Sequence, residues 1–226
     1  MTVPVLGATL YFDPTCATGW RASRWLEPQA RKHDVPVRWR AADRWFGTAA
    51  EEVPGKKRGY PAASKVFLRV VEAAHRDGAD DLVGRLYAAY GWATHEDTRP
   101  HHPDLVREMV AAYAPAYLDA VDDPALDELV VAAHHEAAEY VGDGESSPVL
   151  VVRTAEGERG FYGPVLGPGP EGERADRLWD LLVLAASLPE FFELSARRTW
   201  RRPRRDPLTD HSTSVLPLLP EDLRAP

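Results

Sequence analysis

The chain has 226 residues, 44% of them hydrophobic, which suits one large domain or one domain with a sizeable insertion. Its formal net charge of −8 argues against a general nucleic-acid binder, because phosphate recognition needs a dominant basic surface. No apolar run approaches the roughly 18 residues of a membrane span, and a single cysteine allows no intrachain disulfide, which favours a reducing cytoplasm.

The opening MTVPVLGATLYF lacks the basic start and small-residue cleavage site of a signal peptide and reads as a first strand over 5–12. The strand breaks at Asp13-Pro14. Cys16, the lone cysteine, then opens an amphipathic segment that carries Trp20, Trp25 and Leu26 at helical spacing to about His33. VPVRWRA, residues 35–41, alternates with period two and predicts a second strand, completing a β-α-β unit of the parallel, right-handed kind. Residues 47–58 read as a loop. From about Pro61 to Gly142 the pattern is helical, in four segments (61–78, 80–96, 102–121 and 123–142) marked by prolines or acidic residues at their starts. Strand pattern returns in PVLVV (148–152), with a turn at 155–157 and a hairpin partner in ERGFYG (158–163). A loop rich in glycine and proline leads to a last helix over 171–188, acidic in its first turn where carboxylates suit the helix dipole. The tail beyond Arg205 has no periodicity and predicts a disordered or extended segment.

The order β-α-β, helical insert, β-β-α predicts an α/β protein with a thioredoxin-like fold and a helical insertion, the DsbA-like layout. The division expected is a thioredoxin-like domain from 1–46 and 143–198, an inserted helical subdomain at 60–142, and an Arg-rich then Pro-rich tail at 199–226.

Cys16 stands where a strand hands over to a helix. The unpaired N–H groups of a first helical turn and the positive end of its dipole favour thiolate over thiol, so the residue is a candidate nucleophile. The motif is Cys16-Ala17-Thr18-Gly19, and Gly19 occupies the position of the second cysteine in a C-x-x-C redox motif. A mixed disulfide on Cys16 therefore needs an external thiol to resolve it. Ser147-Pro148 precedes the third strand. In a thioredoxin fold that residue pair sits against the thiol, and a cis proline there leaves the preceding backbone open to a substrate thiol or peptide.

Six stretches carry a family likeness: FDPTCATGWRASRWL (12–26), LYAAYGWATH (86–95), HHEAAEYVG (134–142), SPVLVV (147–152), FYGPVLGPGPEGERADRLWD (161–180) and SLPEFFELSARR (187–198). With these the chain resembles the actinobacterial mycothiol-dependent nitroreductase family, a DsbA-like branch of the thioredoxin superfamily. The resemblance implies a cytoplasmic thiol-dependent oxidoreductase that uses mycothiol as co-substrate, with no tightly bound cofactor. Its implied substrates are disulfides or a small activated, nitroaromatic compound. It makes Cys16 the nucleophile and Pro148 the cis proline, and places His95, four residues after Gly91, in the insert facing the site together with His134 and His135. Thr18, Gly19, Trp20, Trp92, His95, Ser147 and Pro148 are the expected thiol- and substrate-binding residues, Trp20 and Trp92 as possible walls of an apolar pocket.

Adjacent histidines on a helix point about 100° apart, so His134-His135 make a poor metal pair, and HEDTRPHHP (95–103) reads as a solvated interhelix loop; no metal site is assigned. ARRTWRRPRR packs six arginines into 197–205, a solvated charge run or one docked on the acidic body. The partners expected are a small thiol and a small-molecule or mixed-disulfide substrate, with no nucleic acid and no membrane, in a monomer or homodimer. Two rival functions fit the same fold: a thiol S-transferase or thiol-dependent isomerase acting on a small aromatic metabolite, and a non-catalytic binding protein.

Overall fold

The computed structural model describes residues 4–142, 147–167 and 169–197. The segment 143–146 and everything from 198 onward, including nearly all of the arginine run and the Pro-rich tail, lie outside the described residues.

Four strands form one sheet in the order β2-β1-β3-β4. Strand β1 (Val5–Phe12) pairs in parallel with β2 (Val37–Ala41) and antiparallel with β3 (Val149–Thr154), which carries β4 (Gly157–Tyr162) on its other edge. Side-chain alternation divides the central strands between two layers. Leu10 and Phe12 of β1 and Leu150 and Val152 of β3 enter the main core, with Trp20, Trp25 and Leu26 of helix α1 (Ala17–Lys32). Tyr11, Val149 and Val151 face the other way, against Ala137 and Tyr140. Helix α1 ends on Arg31 and Lys32, cations that suit its negative pole, and Asp34 at φ 59° turns the chain toward β2.

Between β2 and β3 run α2 (Tyr60–Arg76), α3 (Asp80–Gly91), α4 (Pro103–Tyr113) and α5 (Asp127–Val141); α6 (Glu173–Ala186) closes the described fold. Pro61 and Pro103 fall in first turns, where a missing N–H costs nothing, and Gly142 closes α5 at φ 83°. The single helix expected over 102–121 is corrected. Regular helix stops at Tyr113 and short 3-10 turns follow, because Pro115 has no N–H to continue the ladder and its ring collides with the preceding turn. Helix α3 runs on into a π-helical turn, Trp92–Glu96, a local widening of the helix that often marks functional sites.

Two ion-pair clusters tie the helices down. The Glu72 carboxylate of α2 accepts from Arg40 of β2 at 3.1 and 3.2 Å and from the Ala41 backbone at 2.7 Å, while Arg40 also reaches Glu136 of α5 at 2.8 Å. Arg69 of α2 grips Asp127 at the start of α5 in a bidentate pair of 2.6 and 3.1 Å. These contacts fix α2 and α5 against β2, whose last residue, Ala41, pairs with Phe12 just before the thiol loop.

Candidate active site

Cys16 is the N-cap of α1. Its φ of −87° and ψ of 107° keep it extended while its carbonyl accepts the Trp20 N–H at 2.9 Å, the first bond of the helix. The sulfur takes the place of a capping oxygen and accepts from the Gly19 N–H at 3.5 Å. Thr18 Oγ1 lies 2.9 Å away on the same turn, and the Ser147 carbonyl lies 3.4 Å off, within reach of the thiol proton. A thiolate thus finds donors in Gly19 and Thr18, and a thiol finds an acceptor in Ser147. The Ser147-Pro148 peptide is cis.

The loop that presents Cys16 is built on a buried acid. The Asp13 carboxylate accepts four hydrogen bonds: Thr15 N at 2.7 Å, Thr15 Oγ1 at 2.6 Å, Ser64 Oγ at 2.7 Å and Arg44 N at 3.1 Å. Its own N–H donates to Ser147 Oγ at 2.9 Å, which joins the thiol loop to the proline loop. Trp45 Nε1 donates to Thr15 Oγ1 at 3.0 Å from the far side. Burial raises the Asp13 pKa, and the four donors oppose it. Nearby Asp43 is pushed up to about 6, by its own burial first and by the charge of Asp13 second.

The insert closes the other side. His95, in the π-helical turn, donates from Nε2 to the Pro14 carbonyl at 2.9 Å and so holds the residue two before the thiol. Its ring stacks on Trp20, with centroids 6.0 Å apart, and Trp20 Nε1 donates to Glu96 Oε1 at 2.9 Å. Gly91 permits that packing, since a Cβ there would meet the Trp20 ring at 2.2 Å. Behind His95, His101 accepts or donates through Nδ1 at 3.0 Å from Tyr90; burial and the neighbouring His95 lower its pKa to about 3, so it stays neutral at working pH.

The structure therefore gathers Cys16, Thr18, Gly19, Ser147 and Pro148 at one point, with Trp20 and His95 on its insert side. Trp92 is half-buried against the main core, and the aromatic contacts to the thiol loop come from Trp20, Trp45 and Tyr87. His134 and His135 pack around the exposed ring of Phe46, with centroids 4.5 and 5.3 Å away. Among the described residues no cluster of metal ligands exists. Sequence reasoning missed Asp13, Ser64, Glu96 and the hydroxyl of Tyr87; of these only Asp13, beside a proline at a strand end, carried a local signal.

Cys16 itself is 3% exposed. Its cover is Thr18, Gly19 and the Ser147 loop, and half-exposed Thr18 is the part of that cover that faces solvent. Two shallow clefts of about 120 Å³ open elsewhere, one lined by Gly7, Arg38 and Arg153, the other by Thr154, Arg159 and Ser187; neither includes the thiol loop.

A family profile described as "Rv2466c-like: Mycothiol-dependent nitroreductase Rv2466c" matches residues 15–196. The chain is 29% identical over 193 residues to "Uncharacterized protein Rv2286c" of Mycobacterium tuberculosis, an alignment covering 81% of this chain and 79% of that one. In fold it is similar to the cytosolic disulfide reductase DsbM of Pseudomonas aeruginosa, with a TM-score of 0.55 at 15% identity over 79% of this chain and 100% of that chain. A second structure of DsbM, with GSH, gives a TM-score of 0.53 at 15% identity over 78% and 99% of the two chains. The match begins one residue before the thiol and runs through the proline loop to the last helix and beyond, and the chain belongs to the Rv2466c-like mycothiol-dependent nitroreductase family.

Proposed function

We propose that the protein is a single-cysteine oxidoreductase of the cytoplasm that uses a low-molecular-weight thiol, mycothiol or one like it, to reduce mixed disulfides or a small activated substrate such as a nitroaromatic. Family membership makes it a thiol-dependent oxidoreductase of the DsbA-like type. The observation that carries the finer reading is Cys16 as helix N-cap, with Gly19 beside it in place of a second thiol.

In the disulfide reaction the Cys16 thiolate attacks one sulfur of a substrate disulfide. A bond forms from Cys16 Sγ to that sulfur, the old S–S bond breaks, and its electron pair leaves on the other sulfur. Gly19 N–H and Thr18 O–H stabilise the attacking thiolate, and the Ser147 carbonyl next to Pro148 borders the side from which the substrate arrives. Gly19 has no sulfur with which to expel the adduct. A small thiolate must attack the outer sulfur, which forms a new external disulfide and returns Cys16 as thiolate. Thr18, Gly19 and Ser147 border the sulfur at which a small thiol would join the protein, and half-buried Trp45 lies beside them on Thr15.

The test is Cys16→Ser assayed three ways. Thiol-dependent reduction should vanish, binding of the small thiol should persist within a few-fold, and the circular dichroism spectrum should not change. Reduction that survives in Cys16→Ser would favour a transferase or isomerase in which the protein cysteine is dispensable.

A further inference from the structure

Tyr87 is fully buried in α3, and its hydroxyl makes no hydrogen bond among the described residues. A phenylalanine would fill the same space without the desolvation penalty of that hydroxyl, which points to a partner that the described residues do not offer it in the resting arrangement. The ring is clamped. Phe12 stacks on it at 4.1 Å, and Trp20, Trp39 and Phe67 meet its edges or face at 5.7, 6.0 and 6.3 Å. Ser23 is a polar neighbour whose hydrogen-bonding influence on the phenol is the weakest of those acting on it; the pair does not reach hydrogen-bond geometry, and the Ser23 proton goes to the Trp20 carbonyl at 2.7 Å.

The clamp aims the hydroxyl at the thiol motif. A Cβ built on Gly19 would stand 3.6 Å from Tyr87 OH, 3.6 Å from Cys16 Cβ and 3.3 Å from Ser147 Oγ. Because residue 19 has no side chain, nothing of its own comes between the phenol and the Cys16 side. After burial, the Cys16 charge is the largest influence raising the Tyr87 pKa, so the phenol keeps its proton and is available as a donor.

We propose that Tyr87 supplies from α3 the polar group that residue 19 lacks, donating a hydrogen bond to the Cys16 sulfur as it leaves a mixed disulfide. The inference rests on Cys16 being the thiol nucleophile. In the step concerned, a small thiolate attacks the outer sulfur of the adduct, a new external S–S bond forms, and the bond to Cys16 Sγ breaks. The electron pair stays on Sγ, and Tyr87 keeps its proton while its O–H bonds to the new thiolate. A stabilised leaving thiolate departs faster.

The experiment loads Cys16 with 2-mercaptoethanol as a mixed disulfide, discharges it with dithiothreitol, and follows the adduct by intact mass. Tyr87→Phe should slow discharge about tenfold and move the pH midpoint of Cys16 alkylation up by about one unit. Its thermal midpoint should hold or rise, since the lost hydroxyl has no structural partner. Adding Gly19→Ser to Tyr87→Phe returns a hydroxyl to the same space and should recover most of the rate. If Tyr87→Phe does not fold, Gly19→Ala reports instead, because its methyl group would intervene between phenol and sulfur and should slow discharge to a similar degree. Unchanged discharge and an unchanged midpoint in the folded Tyr87 variant, or in Gly19→Ala, overturn the assignment while leaving Cys16 as nucleophile. A wild type that never forms the mixed disulfide removes both.

Discussion

Gly19→Cys puts a second sulfur where the geometry can be checked in advance. The introduced Cβ would stand 3.6 Å from Cys16 Cβ, inside the separations of about 3.5–4.5 Å found in disulfides. Its tightest contact is the Ser147 hydroxyl at 3.3 Å, which must give by a few tenths of an ångström. The backbone makes no objection, since residue 19 lies in the first turn of α1, and replacing a helical glycine gains up to about 1 kcal/mol. Held this close, the new thiol acts at an effective concentration of roughly millimolar or more, far above a trace external thiol. The assay starts from wild type and variant carrying the same preformed mixed disulfide on Cys16, freed of excess thiol. The introduced thiolate should attack Cys16 Sγ, expel the adduct as a thiolate, and leave a protein about 2 Da lighter than its reduced form. Wild type should keep its adduct until a small thiol is added. An adduct that persists equally in the variant would show that residue 19 does not face the sulfur, and the placement of Cys-Ala-Thr-Gly as a redox motif would be wrong.

Asp43 is raised to about 6 by burial and by Asp13, against an unfolded value near 3.8, so the folded state binds its proton more tightly. Stability should therefore fall as pH rises from about 4 to about 6, and Asp43→Asn should remove that fall, matching wild type at the acid end and exceeding it in denaturation at neutral pH. Gly91→Ala would drive a methyl group into the Trp20 ring, with its nearest atom at 2.2 Å, and should cost about 1–3 kcal/mol in urea unfolding while shifting tryptophan fluorescence. His95→Ala removes the bond to the Pro14 carbonyl and the stack on Trp20; chemical denaturation should show a loss of about 1–3 kcal/mol, and discharge of a Cys16 adduct should slow severalfold. A His95→Ala protein equal to wild type in both measurements would mean that the insert does not position the thiol loop.

The fold was legible because each element carries its own period. Alternation in 5–12 and 37–41, helical spacing from Trp20 to Leu26, and the return of strand pattern at 148 suffice to order a thioredoxin-type sheet around an insert. The extent of α4 was misread, since the helical pattern was carried on to 121 although Pro115, visible in the sequence, ends regular helix at Tyr113. Cys16 and Pro148 could be paired because chain order in this fold brings the first helix and the third strand to one place. What could not be read were contacts that depend on how α2 and α3 dock. Ser64 reaches Asp13 across 51 residues, and Trp20 reaches Glu96 across 76, with no period or motif linking either pair. Tyr87 and Trp92 look alike in sequence as insert aromatics near His95. Packing buries the first completely beside the thiol and leaves the second half-buried on the core surface. The burial of Cys16 was equally invisible, because it comes from the Ser147 loop folding over from the distant β3 end.

Intact mass of the protein after incubation with mycothiol disulfide tests the central claim most directly. Wild type should gain one mycothiol in disulfide linkage, mapped to Cys16 by peptide fragmentation, and should lose it on addition of reduced mycothiol; Cys16→Ser should gain none. A wild-type chain that stays unmodified under native conditions yet reacts once unfolded would contradict the claim, since it would make Cys16 a buried structural thiol.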